Sequence, residues 1–371
     1  MYKSLILSFL VLLALCNISF GENINTMTSS SRMVEVAGTQ QQLTGIAVSQ
    51  EGRIFVNFPR WVDNIPMSVA EVLPNGTAKA YPNGTINQWN TSLNASNHLV
   101  CVQSVYIDAN NNLWILDPAA PGFTGPVPGG PKLLQVNLAS GKVVRAYHFN
   151  SSIAPVKSYL NDVRVDTRNG YAYMTDSGLG GIVVLNLNTG QARSALGSNS
   201  STKTEPIILE VDGRPLVYVD GSSARFNSDG IALDSQGQYL YYHALTGRTL
   251  YRIRTDYLRD STLNESQIAS RVEKLGQDCA TDGMIMDRAG NLYLTCVEEN
   301  AIMARQFSGP SNSPALMIVA QDQRLQWPDS MSLGSDGYLY VTASQFHLMP
   351  TIAEGKDLRK PPYMIFKVRT V

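Results

Sequence analysis

Six times along the chain a short phrase returns, each copy opening on a polar residue. The copies read Thr44-Gly-Ile-Ala-Val-Ser, Gln103-Ser-Val-Tyr-Ile-Asp, Asn161-Asp-Val-Arg-Val-Asp, Asp229-Gly-Ile-Ala-Leu-Asp, Asp282-Gly-Met-Ile-Met-Asp and Asp329-Ser-Met-Ser-Leu-Gly. A turn rich in Gly and Asn follows each copy, then a second apolar run such as Leu113 to Leu116 or Tyr338 to Val341. The openings stand 59, 58, 68, 53 and 47 residues apart, a spacing that holds several short strands and no helical repeat. Such self-similarity implies units that bury their faces only against one another. Six of them predict an all-β fold, a six-bladed β-propeller with four antiparallel strands per blade. The opening residue of each copy then stands where an innermost strand starts, so Thr44, Gln103, Asn161, Asp229, Asp282 and Asp329 form a ring around the central channel.

Closed all-β architectures of this length run as one domain, and a hydrophobic content of 44% supplies the core. Residues 1–21 carry Lys3, an apolar run from Leu5 to Leu15 and small residues around Gly21. This is the pattern of a cleaved secretory leader, too short to span a bilayer. A single propeller over residues 22–371, exported and with no membrane span, is the expectation. The 29 Lys and Arg against 30 Asp and Glu leave no basic footprint for nucleic acid. Cys16 falls in the leader. Cys279 and Cys296 flank the inner hairpin of the fifth blade, close enough for either a disulfide or two thiols, and Cys101 is left alone. Seven Asn-x-Ser/Thr triplets, at Asn75, Asn83, Asn90, Asn94, Asn150, Asn199 and Asn264, fall in expected turns, as glycan acceptors in a eukaryotic host or as polar turns.

Alternating apolar runs mark the blades. The second is expected at Val105–Asp108, Leu113–Asp117, Lys132–Leu138 and Val143–Phe149, and the fourth ends in a strand at Ser270–Leu275. The last blade is one strand short after Tyr363–Arg369, while Arg32–Ala37 has no blade of its own. Joining the two closes the ring and removes an exposed edge. An extra hairpin is expected from Pro206–Val211 and Leu216–Val219. Loops after the second strands return to the face where the ring opens. That placement puts Phe58, Arg60, Trp61, Asp117, Asp176, His243, Glu298 and His347 around the mouth.

Acidic residues before strands often cap turns, and that structural role alone accounts for the ring. Convergence argues for more, because three carboxylates in a narrow channel repel one another and call for a cation. A protonated amine meets that demand, with Phe58, Trp61 or Phe346 offering cation–π contact. So does Ca2+, which takes carboxylate and amide oxygens. No nucleophile elbow and no zinc spacing appear.

Several segments resemble the major royal jelly protein/yellow family. They are Gly45 to Trp61, Val102 to Asp108 with Leu113 to Asp117, Ala172 to Ser177 and Leu245 to Tyr251. The Leu116-Asp-Pro-Ala-Ala120 variant is similar to bacterial-type members. The resemblance implies a secreted six-bladed propeller, with chemistry in the family ranging from pigment-pathway conversion to amine binding and nutritive storage. More distantly, the chain resembles the senescence marker protein/gluconolactonase propellers, which hold a divalent cation through a Glu, two Asn and an Asp. That likeness implies a metal set of Asn161, Asp229 and Asp282, with Thr44 standing where the Glu would be. Three readings follow. The first is an acidic pocket at Thr44, Gln103, Asn161, Asp229 and Asp282 for a small polar or cationic molecule, with or without chemistry on it. The second is a Ca2+-dependent lactonase in which Asp329 activates water, and the third a structural or nutritive protein.

Overall fold

The computed structural model describes residues 33–307 and 316–371, so the leader at 1–21 and Cys16 lie outside the described residues. Six four-stranded antiparallel sheets follow one another around an axis, each strand except Met33–Thr39 pairing within its sheet with a sequence neighbour. The inner strands are Ile46–Val48, Ser104–Ile107, Leu160–Asp166, Ser228–Leu233, Thr281–Met286 and Pro328–Leu333. Met33–Thr39 pairs antiparallel with Tyr363–Arg369 and supplies the outer strand of the last blade, closing the ring as expected. The second strands are almost wholly buried because both faces meet neighbouring blades: Leu113, Ile115, Leu292, Leu294, Leu339 and Val341 are fully covered. Among the described residues, no helix is long and apolar enough to cross a membrane.

Two expectations shift. The outer strand of the fourth blade is Glu273–Gln277, displaced because helices at Thr255–Arg259 and Glu265–Ala269 intervene, the second fixed by an Asn264/Gln267 capping box. The expected hairpin shrinks to Glu210–Val211 against Arg214–Pro215, after which the chain turns to pack on the channel mouth. Cys279 and Cys296 are joined by a disulfide, and Cys101 is free and buried. The sequon Asn side chains accept backbone N–H groups two or three residues on, for example Asn75 from Thr77 and Asn150 from Ser152.

Neighbouring blades share no β ladder, so their inner strands need another tie. In blades three to six the inner strand carries a bulge, and the register shifts across 160–163, 228–231, 281–284 and 328–331. Each bulge begins at a ring residue, and bulges re-aim side chains in this way. Opposite three of the bulges stands a Thr. Thr175, Thr295 and Thr342 accept the N–H of Asp162, Gly283 and Ser330 within their own blades. Their hydroxyls then donate to the ring carbonyl of the next blade: Thr175 to Asp229 at 2.6 Å, Thr295 to Asp329 at 3.1 Å and Thr342 to Thr44 at 2.6 Å. One hydroxyl therefore mends the bulge and latches the adjacent sheet.

In the fourth blade His243 occupies the Thr position, buried, with Nδ1 against the Ala244 carbonyl. There the sheets touch directly, as they also do beside the Thr295 latch. A Cβ at Gly230 would lie 2.7 Å from the Asp282 carbonyl oxygen, and one at Gly283 would lie 2.3 Å from that of Asp329. Glycine follows Asp in these two copies because the next strand leaves no room for a side chain.

The latch makes a direct prediction. Thr175→Val and Thr295→Val keep the shape and leave buried backbone groups unpaired, at a cost of about 1–3 kcal/mol each. Thermal unfolding should show each variant melting earlier, with Thr→Ser at the same positions retaining most of the stability.

Candidate functional site

The bulges turn four ring residues toward the axis, where they line a cavity of about 430 Å3 together with Gln103. These are Asn161, Asp229, Asp282 and Asp329. Thr44 does not join them. Its strand has no bulge, its N–H pairs with the Asn57 carbonyl, and its hydroxyl donates to the Gln103 carbonyl. Asn57 Nδ2 completes that buried joint by donating to the Thr44 hydroxyl and the Val102 carbonyl.

Above the acids rises an aromatic wall. Phe346 is its hub, with ring centroids 5.3 Å from Trp61, 5.0 Å from Trp327 and 5.6 Å from Phe226. Phe123 stacks on Trp61 at 5.0 Å and lies 5.6 Å from Tyr159. Polar atoms orient these rings: the Trp61 indole donates to the Tyr159 hydroxyl at 2.6 Å, which donates to Gln103 Oε1 at 3.0 Å. The Trp327 indole, from the sixth blade, donates to Asp282 Oδ2 at 2.6 Å.

Of the residues expected around the mouth or as cation–π partners, Trp61 and Phe346 line the cavity and the others do not. Phe58 continues its ladder through the Ser68 carbonyl, so its ring enters the core between the first and last blades. Arg60 points inward and donates to the Leu99, Val100 and Asn87 carbonyls. Asp117 caps the N–H groups of Val100, Cys101 and Ala119 and pairs with buried Lys132. Asp176 caps Tyr159, Gly178 and Leu179. Glu298 pairs with Arg248, and His347 with Asp212 at 3.0 Å while stacking on Trp327. These loop groups hold the mouth in place.

Sequence reasoning passed over Tyr159, Trp327, Phe123 and Phe226. Tyr159 and Trp327 carried a signal, since each stands two residues before a ring position, just ahead of an inner strand. Phe123 and Phe226 arrive on irregular loops and carried none.

The acids are electrostatically crowded. Burial pushes Asp229 well above the ordinary carboxylate range, Asp162 and Asp329 add to this, and hydrogen bonding with Asp282 and Asn161 opposes it. Asp282 is raised likewise by burial and then by Asp229, against the Trp327 indole. Asp329 is raised by burial and then by Asp282. Below them Arg164 donates to Asp162 Oδ2 and to the Met284 carbonyl, so its charge is engaged with Asp162. A proton, an organic cation or a metal ion would each relieve the crowding. Asn161, Asp229 and Asp282 converge and offer the hard oxygen donors that Ca2+ takes, so their chemistry fits one face of a coordination shell. Thr44 adds nothing to that face.

A family model described as Major royal jelly protein matches residues 100–366. Protein yellow of Drosophila subobscura is 22% identical over 310 residues, covering 79% of this chain and 54% of the fly protein. The Drosophila melanogaster protein is also 22% identical over 310 residues, with 79% and 56% covered. The chain thus spans about half the length of the curated relatives it matches. Among solved structures, a luciferin-regenerating enzyme superposes with a TM-score of 0.53 at 12% identity, covering 91% of this chain and 95% of that one. A calcium-binding regucalcin of Agrobacterium tumefaciens gives 0.53 at 12% identity, covering 91% and 92%. At this identity the two share the fold with this chain.

Between the ordinary carboxylate range and the raised one, the native state holds a proton that the unfolded chain has lost, so stability falls as pH rises through that window. Asp229→Asn removes the penalty. The variant should melt higher at neutral pH, by about 0.5–2 kcal/mol in stability. Unfolding scans across pH should show that gain shrinking toward the ordinary carboxylate range, where the native acid is already protonated.

Proposed function

This chain belongs to the major royal jelly protein family, and we propose that its channel binds a small molecule with a cationic end and an apolar body. The observation that carries this reading is the stacking of two chemistries along one cavity: buried carboxylates at the floor and aromatic faces above them. A protonated amine entering that space neutralises the crowded acids, while Trp61, Phe346 and Trp327 cover its apolar part. A cavity of about 430 Å3 is within the range of small-molecule sites, about 300–1,000 Å3. Acids with raised pKa values hold a proton more readily than ordinary carboxylates, so proton transfer on the bound molecule is within the site's means. Export accords with the leader-like opening and with the Cys279–Cys296 disulfide, a bond that persists in oxidising compartments.

The convergence of Asn161 and Asp282 on Asp229 supports a second reading, in which these three hold Ca2+. A bound divalent ion would supply Lewis-acid polarisation of an ester or lactone carbonyl. In that setting Asp329 would accept a proton from water, and the aromatic wall would exclude solvent from the reacting group.

Thermal shift and calorimetry separate the two. Under the first reading, cationic aromatic amines raise Tm while neutral isosteres do not, and Asp229→Asn/Asp282→Asn weakens amine binding at least tenfold. Under the second, Ca2+ raises Tm in a way that chelator reverses, and stabilises the fold by about 2.7 kcal/mol at a hundredfold excess over Kd. Silence across amines, sugars, phenols and Ca2+ would leave the channel as scaffold.

A further inference from the structure

The cavity has a second charged end. Lys157 and Arg225 line it together with the acids, yet both are exposed where Asp229 and Asp329 are each only 4% exposed. The two cations therefore stand at the mouth and Asp229 and Asp329 at the floor, while half-buried Asp282 and the rings of Trp61, Phe346 and Trp327 line the space they share. Among the described residues neither cation joins an ion pair. Arg225 has one long contact of 3.4 Å, from Nη1 to the Thr204 hydroxyl. Other cations nearby are committed, Arg248 to Glu298 and Lys203 to the Leu179 carbonyl.

This arrangement creates a difficulty for a simple amine. A monocation would be drawn to the floor and repelled at the entrance, because like charges at the mouth oppose both its approach and its residence. A ligand with an anionic group at the opposite end from its ammonium turns that repulsion into attraction. The guanidinium of Arg225 is a planar fork suited to a carboxylate, and Lys157 adds a flexible point charge.

Resting on the cationic-ligand reading above, we propose that the site selects an aromatic ω-amino acid, a zwitterion whose ring separates its ammonium from its carboxylate. Its ammonium meets Asp229, Asp282 and Asp329, its ring lies against Trp61, Phe346 and Trp327, and its carboxylate meets Lys157 and Arg225. The mouth cations are then specificity determinants. They discriminate against the decarboxylated amine without touching the floor.

Calorimetry on the full chain with 4-(2-aminoethyl)benzoate, phenylethylamine and 4-ethylbenzoate, and with 4-(aminomethyl)benzoate against benzylamine, tests this. Within each pair, amino acid and amine differ by the carboxylate alone. The amino acid should bind roughly tenfold or more tightly than its amine, the scale of a charge-assisted contact, and 4-ethylbenzoate should be weaker than 4-(2-aminoethyl)benzoate. In Lys157→Gln/Arg225→Gln the preference should collapse, with amino acid binding weakened and amine binding tightened. Arg225→Glu should invert it. Both mouth side chains are exposed, so these variants should fold, and an unchanged melting curve verifies that.

Amines binding as well as or better than amino acids would overturn the zwitterion proposal and leave the cationic reading standing. A preference for the amino acid that survives both mouth variants would overturn the assignment to Lys157 and Arg225. Failure of amines and amino acids alike would remove both readings together.

Discussion

The hydroxyl of a single threonine, shared between two sheets, is the contact on which this molecule depends. Blades of a propeller meet face to face and exchange no ladder hydrogen bonds, so apolar packing by itself would allow them to slide. Thr175, Thr295 and Thr342 remove that freedom by accepting from a bulge in one blade and donating to a ring carbonyl in the next. Asn57 and Thr44 do the equivalent between the first two blades with an amide and a hydroxyl. The carbonyls so gripped belong to Asp229, Asp329 and Thr44, hence the bonds that hold the ring together also set where two of the acids stand.

That coupling explains how the molecule tolerates a cluster of like charges. Buried carboxylates repel, and a loosely held set would swing apart into solvent. Here the bulges aim them inward, the Thr hydroxyls fix the Asp229 and Asp329 backbones, and the Trp327 indole holds Asp282 from a neighbouring blade. Beneath, the Asp162–Arg164 pair lines a separate cavity at the opposite end of the axis. Asp162 also adds negative charge beneath the floor. The cavity is thus polarised, with buried Asp229 and Asp329 inside, exposed Lys157 and Arg225 at its opening, and aromatic surface along the same walls.

The repeat was legible because each copy must solve the same local problem: an inner strand, a tight turn and a second strand buried on both faces. Gly230 and Gly283 are visible as part of that pattern, although their reason lies in the neighbouring carbonyls of Asp282 and Asp329. The ring was legible for the same cause, since four of its members open bulged strands. The misplacements have physical reasons too. Thr44 opens its copy like the rest, but its strand is regular, so its side chain serves the joint between blades. Phe58 follows a second strand like the loop residues elsewhere, yet its blade pairs one residue further and carries the ring into the core.

Strand periodicity, the sixfold recurrence and the unpaired segment at the N-terminus determined the architecture and its closure, because each is a local or counting property of the chain. The chemistry of the pocket was decided by tertiary structure. Which rings meet at Phe346, which acid receives the Trp327 indole, and that Lys157 and Arg225 share a cavity with Asp229 are facts about loops from different blades. Their order along the chain holds no trace of their separation in space. Only closure of the ring brings them together.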